Sequence, residues 1–327
     1  MKFIFDKRWE GATGIGRFSK EITKRVSFDR FIKNEIKPTS PLDIFVTPFY
    51  LFFNKYIYIT PGFNSPFFFI KRSIITVHDL NHVDIKGNDS FLKNIYYNFI
   101  LKRGCKKSLA ILTVSEFSKN RIIDWAGVDE SKITVVGNGV SEEYSPVGEK
   151  YSPGFDYILC VSNRKKHKNE ERLVEAFAKA KKNINVKLLI SGKSSANITR
   201  LAEQYGIKND VVFSGYIEDE DLPKYYRGAS AVIMPSLYEG FGLPLIEAMA
   251  SGIPTASSKA TSLAEVAGDS SLLFDPENIE QMSKAIVTIV SDEILREELI
   301  RKGMTRSKYY NWESVSSRVK KVINELA

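Results

Sequence analysis

Two glutamates that flank a glycine-containing turn are the residues whose types and spacing point most directly to chemistry. They are the ends of E-G-F-G-L-P-L-I-E, residues 239–247, which follows an apolar strand pattern and opens a predicted helix. Glycines let backbone approach a ligand, and N–H groups at a helix start favour anions and hydroxyl oxygens. Carboxylates accept hydrogen bonds in pairs, so Glu239 in the loop and Glu247 in the first helical turn suit the vicinal hydroxyls of a ribose or hexose. If Glu247 only complemented the helix dipole, both glycines and Glu239 would be unexplained.

The elements that position this turn alternate between strand-like and helix-like patterns, which predicts an α/β fold with parallel sheets covered on both faces. A helix is predicted over residues 170–181, where apolar residues recur at helical spacing. Strands are predicted at 2–5, 44–47, 74–77, 110–114 and 133–136, and again at 157–161, 187–191, 211–214, 231–234, 254–256 and 271–274.

Two series of strands predict two doubly wound, Rossmann-like domains that face each other across a cleft, where ligands of such architectures bind. The stretch S-P-V-G-E-K-Y-S-P-G, residues 145–154, suits an exposed linker. We therefore predict domains at 1–148 and 149–310. Residues 311–327 form a last helix that packs on an existing surface, returning to the first domain, with Trp312, Val315, Val319 and Val322 on one face.

The turn at 239–247 resembles the E-x7-E signature of the retaining family 4 glycosyltransferases, which have the GT-B fold. Its context, M-P-S-L-Y-E-G-F-G-L-P-L-I-E-A-M-A-S-G-I-P, follows that family's pattern, and the likeness extends from G-I-G-R near the start to the W-E helix at the end. The resemblance implies that Glu247 binds the donor ribose and Glu239 reaches the transferred sugar near its 3-OH. The backbone around Phe241, Gly242 and Leu243 would contact sugar hydroxyls and phosphate.

A donor diphosphate also needs cations, and S-N-R-K-K-H-K-N, residues 162–169, offers them at the predicted mouth of the cleft. Arg and Lys form charge-assisted hydrogen bonds to phosphate. Lys168 matches the lysine position that the resemblance implies, whereas His167 occupies the usual arginine site, so Arg164 is the candidate arginine. A solvated basic turn is the alternative for this segment.

The loop G-A-T-G-I-G-R, residues 11–17, lies between the first strand and a helix predicted over 18–26. Ser19 stands where the dinucleotide fingerprint has its third glycine, so an NAD site is poorly supported. The resemblance implies instead that backbone amides at Gly14 and Gly16 face the donor phosphate. Arg17 would face acceptor or phosphate, with a surface ion pair as the alternative.

His78 in V-H-D-L, residues 77–80, stands at the carboxyl end of a predicted strand. The resemblance places it near the donor sugar and its 6-OH, while a purely structural histidine is the alternative. The family is expected to lack a protein nucleophile. Front-face attack then lets the departing phosphate oxygen take the acceptor proton, with the protein supplying positioning and charge stabilisation.

Strand ends complete the predicted site. Those at 191–193 and 214–217 would hold the nucleobase, mainly through backbone groups, at Gly192, Lys193 and Ile217. The acceptor side would include Asn138 of the N-G-V turn together with Phe63 and Asn64 of P-G-F-N-S-P. The chain has no D-x-D motif near a strand end, which fits a transferase that needs neither metal nor other cofactor.

Composition bounds these expectations. The 327 residues are 43% hydrophobic and 26% charged, which is typical of a globular protein rather than a disordered one. The two cysteines, Cys105 and Cys160, match no metal or disulfide spacing and favour a reducing compartment. The start carries charges within six residues and predicts no signal peptide, so a cytoplasmic enzyme is expected.

The first half is basic and aromatic. Residues 1–150 carry 23 Lys or Arg against 16 Asp or Glu, whereas the remainder carries 24 against 23. The apolar region 44–70 is interrupted by prolines and polar residues and cannot span a bilayer. Its aromatics would either fill the core or, around 61–69, meet a membrane or lipid-linked molecule. Basic residues at 102, 103, 106 and 107 could attract anionic lipids to the inner face of the membrane or form a solvated helix face. Nucleic acid is not expected, because no binding motif accompanies the charge.

P-G-F-N-S-P, T-V-H-D-L and S-E-F-S resemble the mannosyltransferases of bacterial O-antigen and capsule assembly. The resemblance implies a hexose moved with retention, best mannose from GDP-mannose, to a glycan on a polyprenyl diphosphate. A UDP- or dTDP-sugar donor, a nucleotide-sugar epimerase, a non-catalytic nucleotide-binding protein and an NAD-dependent dehydrogenase are the alternatives.

Overall fold

Two parallel six-stranded sheets organise the chain, one in each of two compact units. The computed structural model describes residues 1–11, 13–33, 36–85 and 91–326. Unit 1 comprises Met1–Gly139 and Trp312–Ala327, and unit 2 comprises Val140–Asn311. The α/β class and the pair of doubly wound sheets predicted from the sequence are confirmed.

Unit 1 has the strand order β2-β1-β3-β4-β5-β6, with every pair parallel. Its sheet core includes Phe5, Ile59 and Ile74, which are almost fully buried. The strands are β1 (Phe3–Asp6), β2 (Arg30–Ile32), β3 (Ile57–Thr60), β4 (Ser73–Thr76), β5 (Ala110–Thr113) and β6 (Ile133–Val135). The helices are α1 (Gly14–Arg25), α2 (Asp43–Phe52), α3 (Asn81–Asp84), α4 (Phe91–Ile95), α5 (Lys102–Lys107) and α6 (Glu116–Ala126), and a π-helical stretch, Tyr96–Leu101, joins α4 to α5.

Unit 2 has the strand order β12-β11-β10-β7-β8-β9, again parallel throughout. All six strands predicted for this part of the chain are present. They are β7 (Tyr157–Cys160), β8 (Lys187–Ile190), β9 (Val211–Phe213), β10 (Ala231–Met234), β11 (Thr255–Ser258) and β12 (Leu272–Phe274). The helices are α7 (Glu170–Ala180), α8 (Ala196–Gln204), α9 (Leu222–Gly228), α10 (Leu243–Ala250), α11 (Ser262–Ala267), α12 (Ile279–Ser291) and α13 (Glu293–Ser307).

The last helix, α14 (Trp312–Glu325), belongs to unit 1. Its predicted apolar face, at 312, 315, 319 and 322, is buried in the unit 1 core, and Trp312 lies edge-on to Phe18 of α1, with ring centroids 6.3 Å apart. Residue 327 of the predicted helix lies outside the described residues.

The units divide between Gly139 and Val140, whereas the sequence placed the boundary between residues 148 and 149. The reason is that Arg227 of α9 holds the intervening segment onto unit 2. Its guanidinium donates to the carbonyl oxygens of Glu143, Ser145 and Glu149 at 3.2, 3.4 and 2.8 Å. The stretch that reads as a linker is therefore bound along unit 2.

The predicted strand at 44–47 is wrong, because these residues lie in α2. Two strands of unit 1 have no counterpart in the prediction: β2, a short edge strand with two exposed residues, and β3. Helix α2 is fixed by polar contacts on its buried side, where the guanidinium of Arg8 donates to Asp43 at 2.5 Å and to Thr47 at 3.3 Å.

Candidate active site

Two loops of unit 2 meet at the carboxyl edge of its sheet, because the strands they follow, β7 and β10, are hydrogen-bonded neighbours. The side-chain amide of Asn169 donates to the carbonyl oxygens of Pro235 and Pro276 at 2.9 and 2.8 Å. The Leu237 amide donates to the carbonyl oxygen of His167 at 2.7 Å. The cationic loop 161–169 is thereby fixed against the loop 235–242 that carries Glu239.

This arrangement pairs two of the residues predicted from the sequence. The Lys168 ammonium lies 2.6 Å from Glu239 Oε1, and each side chain keeps 13% of its surface exposed. Ser236 Oγ donates to the same carboxylate oxygen at 2.7 Å. Burial raises the pKa of Glu239, but the Lys168 charge and the two hydrogen bonds outweigh it, so the net pKa lies below the ordinary value. Glu239 is therefore a carboxylate at neutral pH, able to accept hydrogen bonds but not to donate a proton.

The backbone of Glu239 is held as firmly as its side chain. Its N–H donates to Thr261 Oγ1 at 3.0 Å, and its carbonyl oxygen accepts from Ser262 Oγ at 2.9 Å. Both partners lie on the segment that follows β11, the strand next to β10. Three neighbouring strand ends thus fix one carboxylate.

Glu247 lies in α10, but the prediction that it stands in the first turn is wrong. The helix begins at Leu243, so Glu247 is in its second turn. The residue is 3% exposed, and its carboxylate accepts from the hydroxyl of the buried Tyr226 at 2.8 Å. A complement to the helix dipole is thus no longer its explanation, because that effect is confined to the first turn.

The turn before α10 requires glycine at position 242, which has φ of +98°. A Cβ there would also lie 2.5 Å from Leu263 Cδ2. The Phe241 side chain is 5% exposed and lies edge-on to Tyr310, so it packs in the fold. No protein acceptor among the described residues takes the amide N–H of Phe241, Gly242 or Leu243, which leaves the backbone of this turn to offer donors at a helix start.

Arg164 holds protein groups in this structure. Its Nη1 donates to Glu170 Oε1 at 2.7 Å, and its Nε and Nη2 donate to the carbonyl oxygen of Lys193 at 3.1 and 2.8 Å. The guanidinium also lies 5.0 Å from the centre of the Phe213 ring. Its role as the arginine of a diphosphate site stays a prediction. In this structure, Arg164 links the cationic loop to the segment after β8.

The segments predicted to hold a nucleobase lie side by side after β8 and β9. The Gly192 amide donates to the carbonyl oxygen of Gly215 at 2.9 Å, in an isolated antiparallel bridge, and Gly192 has φ of +89°. Through its carbonyl, Lys193 is tied to Arg164, and Ile217 follows the bridge, half-buried. The structure therefore gathers these three residues at one end of the unit 2 sheet.

In unit 1, α1 begins at Gly14, with Thr13 as its N-cap. The Gly16 amide donates to Thr13 Oγ1 at 3.0 Å, so this amide, expected to face a phosphate, already has a partner. Glycine is needed at position 16 because a Cβ there would lie 2.2 Å from the carbonyl oxygen of Gly11. Arg17 follows on α1, half-buried. Residue 12 of the predicted loop lies outside the described residues.

His78 lies just past β4, beside α1. Its Nε2 is 2.8 Å from the carbonyl oxygen of Pro61, which can only accept, so Nε2 carries the proton and Nδ1 the lone pair. Phe18 meets the imidazole edge-on, with ring centroids 5.1 Å apart. Burial lowers the pKa of His78 to about 4, against a smaller opposite effect of the Pro61 carbonyl. The ring is therefore neutral at physiological pH.

Three residues predicted for the acceptor side, Asn64, Phe63 and Asn138, contact or lie among protein groups of unit 1, and their role towards an acceptor stays a prediction. Asn64 is 3% exposed, and its side-chain amide is hydrogen-bonded within unit 1. Phe63 packs against Trp9, Tyr96 and Tyr97. Asn138, 5% exposed, follows β6. The amide of Asn64 bonds to Trp9, Thr60, Asp6, Asp43 and Tyr58.

Sequence reasoning missed four groups that shape the site: Ser236, Asn169, Tyr226 and Thr261. Ser236 and Thr261 could have been found from the sequence, since each follows a predicted strand at the same sheet edge. Asn169 and Tyr226 needed the long-range contacts, which no local pattern contains. Among the described residues, no group of three or more His, Cys, Asp or Glu side chains could hold a metal ion, and none of the described helices has the length and apolarity to cross a membrane.

Two family models match the chain almost end to end. "Glycosyltransferase Family 4" matches residues 19–144, and "Glycosyl transferases group 1" matches residues 147–306.

Two related proteins and one solved structure are also similar to this chain. O-antigen chain mannosyltransferase B of Escherichia coli is 29% identical over 280 residues, covering 81% of this chain and 73% of that protein. The serotype-specific mannosyltransferase WbdA of Escherichia coli is 25% identical, covering 80% of this chain but 34% of its own length, so the chain spans about a third of it. The sucrose-phosphate synthase structure from Thermosynechococcus elongatus matches with a TM-score of 0.79 at 18% identity, covering 100% of this chain and 99% of that one.

Proposed function

The chain belongs to the family 4 glycosyltransferases of the GT-B fold, and from that premise we propose that it transfers mannose from GDP-mannose, with retention, to a glycan carried on a polyprenyl diphosphate. The mannosyl assignment is supported by two relatives, both named as O-antigen or serotype-specific mannosyltransferases. The observation that carries the proposal is the Lys168–Glu239 pair beside the turn that opens α10.

Each group of unit 2 then has a task. Lys168 has three donors, one of which holds Glu239, and the others would stabilise charge on the leaving diphosphate. The ionised Glu239 would accept from sugar hydroxyls, and Glu247, oriented by Tyr226, would accept from the donor ribose. Backbone N–H groups at the start of α10 would bind phosphate or hydroxyl oxygens.

Proton transfer is proposed without a protein base. The bond from the mannose anomeric carbon to the diphosphate oxygen breaks, and a bond to the acceptor oxygen forms on the same face. The acceptor proton passes to the departing phosphate oxygen. The neutral state of His78 suits a residue that contacts a sugar hydroxyl through Nδ1 rather than one that removes a proton. No metal or other cofactor enters this scheme.

The test is proton NMR of the purified chain with GDP-α-mannose and a panel of polyprenyl-diphosphate oligosaccharides. We expect an α-mannosyl product and GDP in equal amounts. A β-linked product would refute retention, and turnover of a UDP- or dTDP-sugar instead would refute the mannosyl assignment. Interconversion of nucleotide sugars without acceptor would indicate an epimerase. Metal dependence is checked by repeating the reaction in EDTA, which we expect to leave the rate unchanged.

A further inference from the structure

One surface of unit 1 carries large apolar side chains that nothing in the described chain covers. Leu42, Phe45, Phe49, Phe52 and Phe53 are 60–69% exposed. Their spacing of three or four residues along α2 and its flanks places them on one side of the helix.

The outer side of α2 is more apolar than folding alone favours. The side buried in unit 1 carries Asp43 and Thr47 together with Pro48 and Leu51, whereas the outer side carries leucine and phenylalanine without a polar residue among its most exposed positions. The buried side is secured by polar contacts: Arg8 donates to Asp43 at 2.5 Å, and the Asn64 amide donates to the other carboxylate oxygen at 2.9 Å. Because the helix is held by this buried network, its outer apolar side is not needed to dock it, and water is a poor solvent for that side.

The apolar surface continues onto the loop before β4. Phe68 and Phe69 are 56% and 37% exposed. The rings of Phe52 and Phe69 lie 6.2 Å apart, and Phe53 lies 5.1 Å from both Phe49 and Phe52. We call the resulting surface the aromatic face; it consists of Leu42, Phe45, Phe49, Phe52, Phe53, Phe68 and Phe69.

Along the segment of chain that carries the aromatic face, the exposed charge has one sign. The sequence has no Asp or Glu between Asp43 and Asp79, and Asp43 is buried against Arg8. Lys55, three residues after the end of α2, and Lys71, two residues after Phe69, are both exposed. The Arg72 guanidinium lies 4.6 Å from the centre of the Phe69 ring. Arg72 thus stands at the border of the apolar surface, and Lys55 and Lys71 lie beside its residues in the sequence.

Helix α5 also carries cations beside the aromatic residues of this region. Arg103 of α5 donates to the carbonyl oxygen of Phe67 at 2.8 Å and lies 4.8 Å from the centre of its ring. Residues 91–115 contain five Lys or Arg and no Asp or Glu. Among them Lys106 and Lys107 are exposed, as is Phe99, at 69%.

We propose that the aromatic face is a membrane-docking surface that inserts into the interface of a bilayer containing anionic phospholipids, with the bordering cations on the headgroups. Phenylalanine and leucine on one side of a helix, bordered by basic residues, are the features of helices that lie in the interfacial plane. A second copy of the chain is a poorer occupant, because two copies meeting through this surface would bring like charges together at its border. The inference does not depend on which sugar is transferred.

The experiment is flotation of the full chain with phosphatidylcholine vesicles and with mixed phosphatidylcholine–phosphatidylglycerol vesicles. We expect binding to the mixed vesicles that weakens as salt is raised. The triple variant Phe45→Ser/Phe49→Ser/Phe52→Ser should bind about tenfold or more weakly, because three large apolar side chains no longer insert. The matched control is Val147→Ser/Ile294→Ser/Tyr309→Ser, which replaces three side chains in unit 2 that are 70–83% exposed and should bind as the wild type does.

Insertion itself is measured with variants that each add one tryptophan to the three of the wild type and keep the apolar character of the surface. Fluorescence of Phe49→Trp should be quenched by brominated lipids, relative to the wild-type signal, whereas Tyr309→Trp should not be. Vesicle binding that is absent in the wild type, or unchanged in the serine triple variant, would overturn the proposal. So would self-association that the triple variant abolishes without any vesicle binding, which would make a second copy the occupant.

Discussion

The ion pair between Lys168 and Glu239 can be broken by a Lys168→Met substitution, which removes the charge and keeps an unbranched apolar chain. Glu239 then keeps its burial and the Ser236 hydrogen bond but loses its cation. Removing one partner of a buried pair costs about 3–5 kcal/mol. Because both side chains keep 13% of their surface exposed and Ser236 remains, we expect about 2–3 kcal/mol at pH 7. A urea dependence of about 2 kcal/mol per molar converts this to a midpoint shift of about 1–1.5 M.

The loss must depend on pH in a definite direction. In the wild type the folded-state pKa of Glu239 is below the ordinary value, so its contribution is full above about pH 4.3 and fades as pH falls through the lowered pKa. In the variant, burial without the cation raises the pKa of Glu239. Mild acidification then neutralises Glu239 and removes the free-energy cost of burying its charge without a cation. The stability gap between wild type and variant should therefore be largest near pH 7 and shrink towards pH 4.

The assay is urea unfolding followed by circular dichroism, with tryptophan fluorescence as an internal reference. Trp9, Trp125 and Trp312 all belong to unit 1, so their signal reports a unit that the substitution does not touch. Lys165→Met removes an exposed lysine from the same loop and should change stability by less than about 0.5 kcal/mol. The double variant Lys168→Met/Glu239→Gln should recover most of the loss. If wild type and Lys168→Met were equally stable at pH 7, or differed in stability by the same amount at pH 4 and pH 7, Lys168 would not stabilise the Glu239 carboxylate as we infer.

Three further substitutions test other parts of the structure. Gly242→Ala forces a Cβ onto a φ of +98° and against Leu263, so calorimetry should show a loss of about 1–3 kcal/mol. Its control, Gly206→Ala at φ +71° with open space around it, should lose less, and equal losses would contradict the clash. Tyr226→Phe removes the hydroxyl bonded to Glu247 and should weaken nucleotide binding several-fold in a titration; unchanged affinity would show that Tyr226 does not orient the carboxylate. Asn64→Ala should destabilise unit 1 by more than about 2 kcal/mol and shift its tryptophan emission, because Trp9 loses its indole partner; a wild-type melting curve would count against the buried network.

Hydrophobic periodicity located unit 2 well because its strands are short apolar runs bounded by polar turns. It failed at α2, where aromatic residues face outward and the buried side combines Asp43 and Thr47 with Pro48 and Leu51, so the apolar residues do not mark one buried face as they do in an ordinary amphipathic helix. It also missed β2, an edge strand of three residues with two of them exposed. In both places the information lies in long-range contacts, such as those of Arg8 with Asp43.

The candidate site was predictable in its residue types but not in its pairings. Lys168 and Glu239 are separated by 71 residues, and they meet because β7 and β10 are neighbours, an order that the sequence does not state. Arg164 and Asn64 were chosen as ligand-binding residues from their motifs. The contacts show Arg164 linking Glu170 to Lys193 and Asn64 filling a buried network, which local patterns could not reveal.

The most direct test of the central claim, that unit 2 carries a nucleotide-sugar site built on Glu239 and Glu247, is calorimetric titration with GDP, UDP, dTDP and ADP, with NAD as the control. We predict selective GDP binding, an affinity within a few-fold of the wild type in Glu239→Ala, and binding that is about tenfold weaker or more in Glu247→Ala. Binding of NAD alone, or of no nucleoside diphosphate at all, would contradict it.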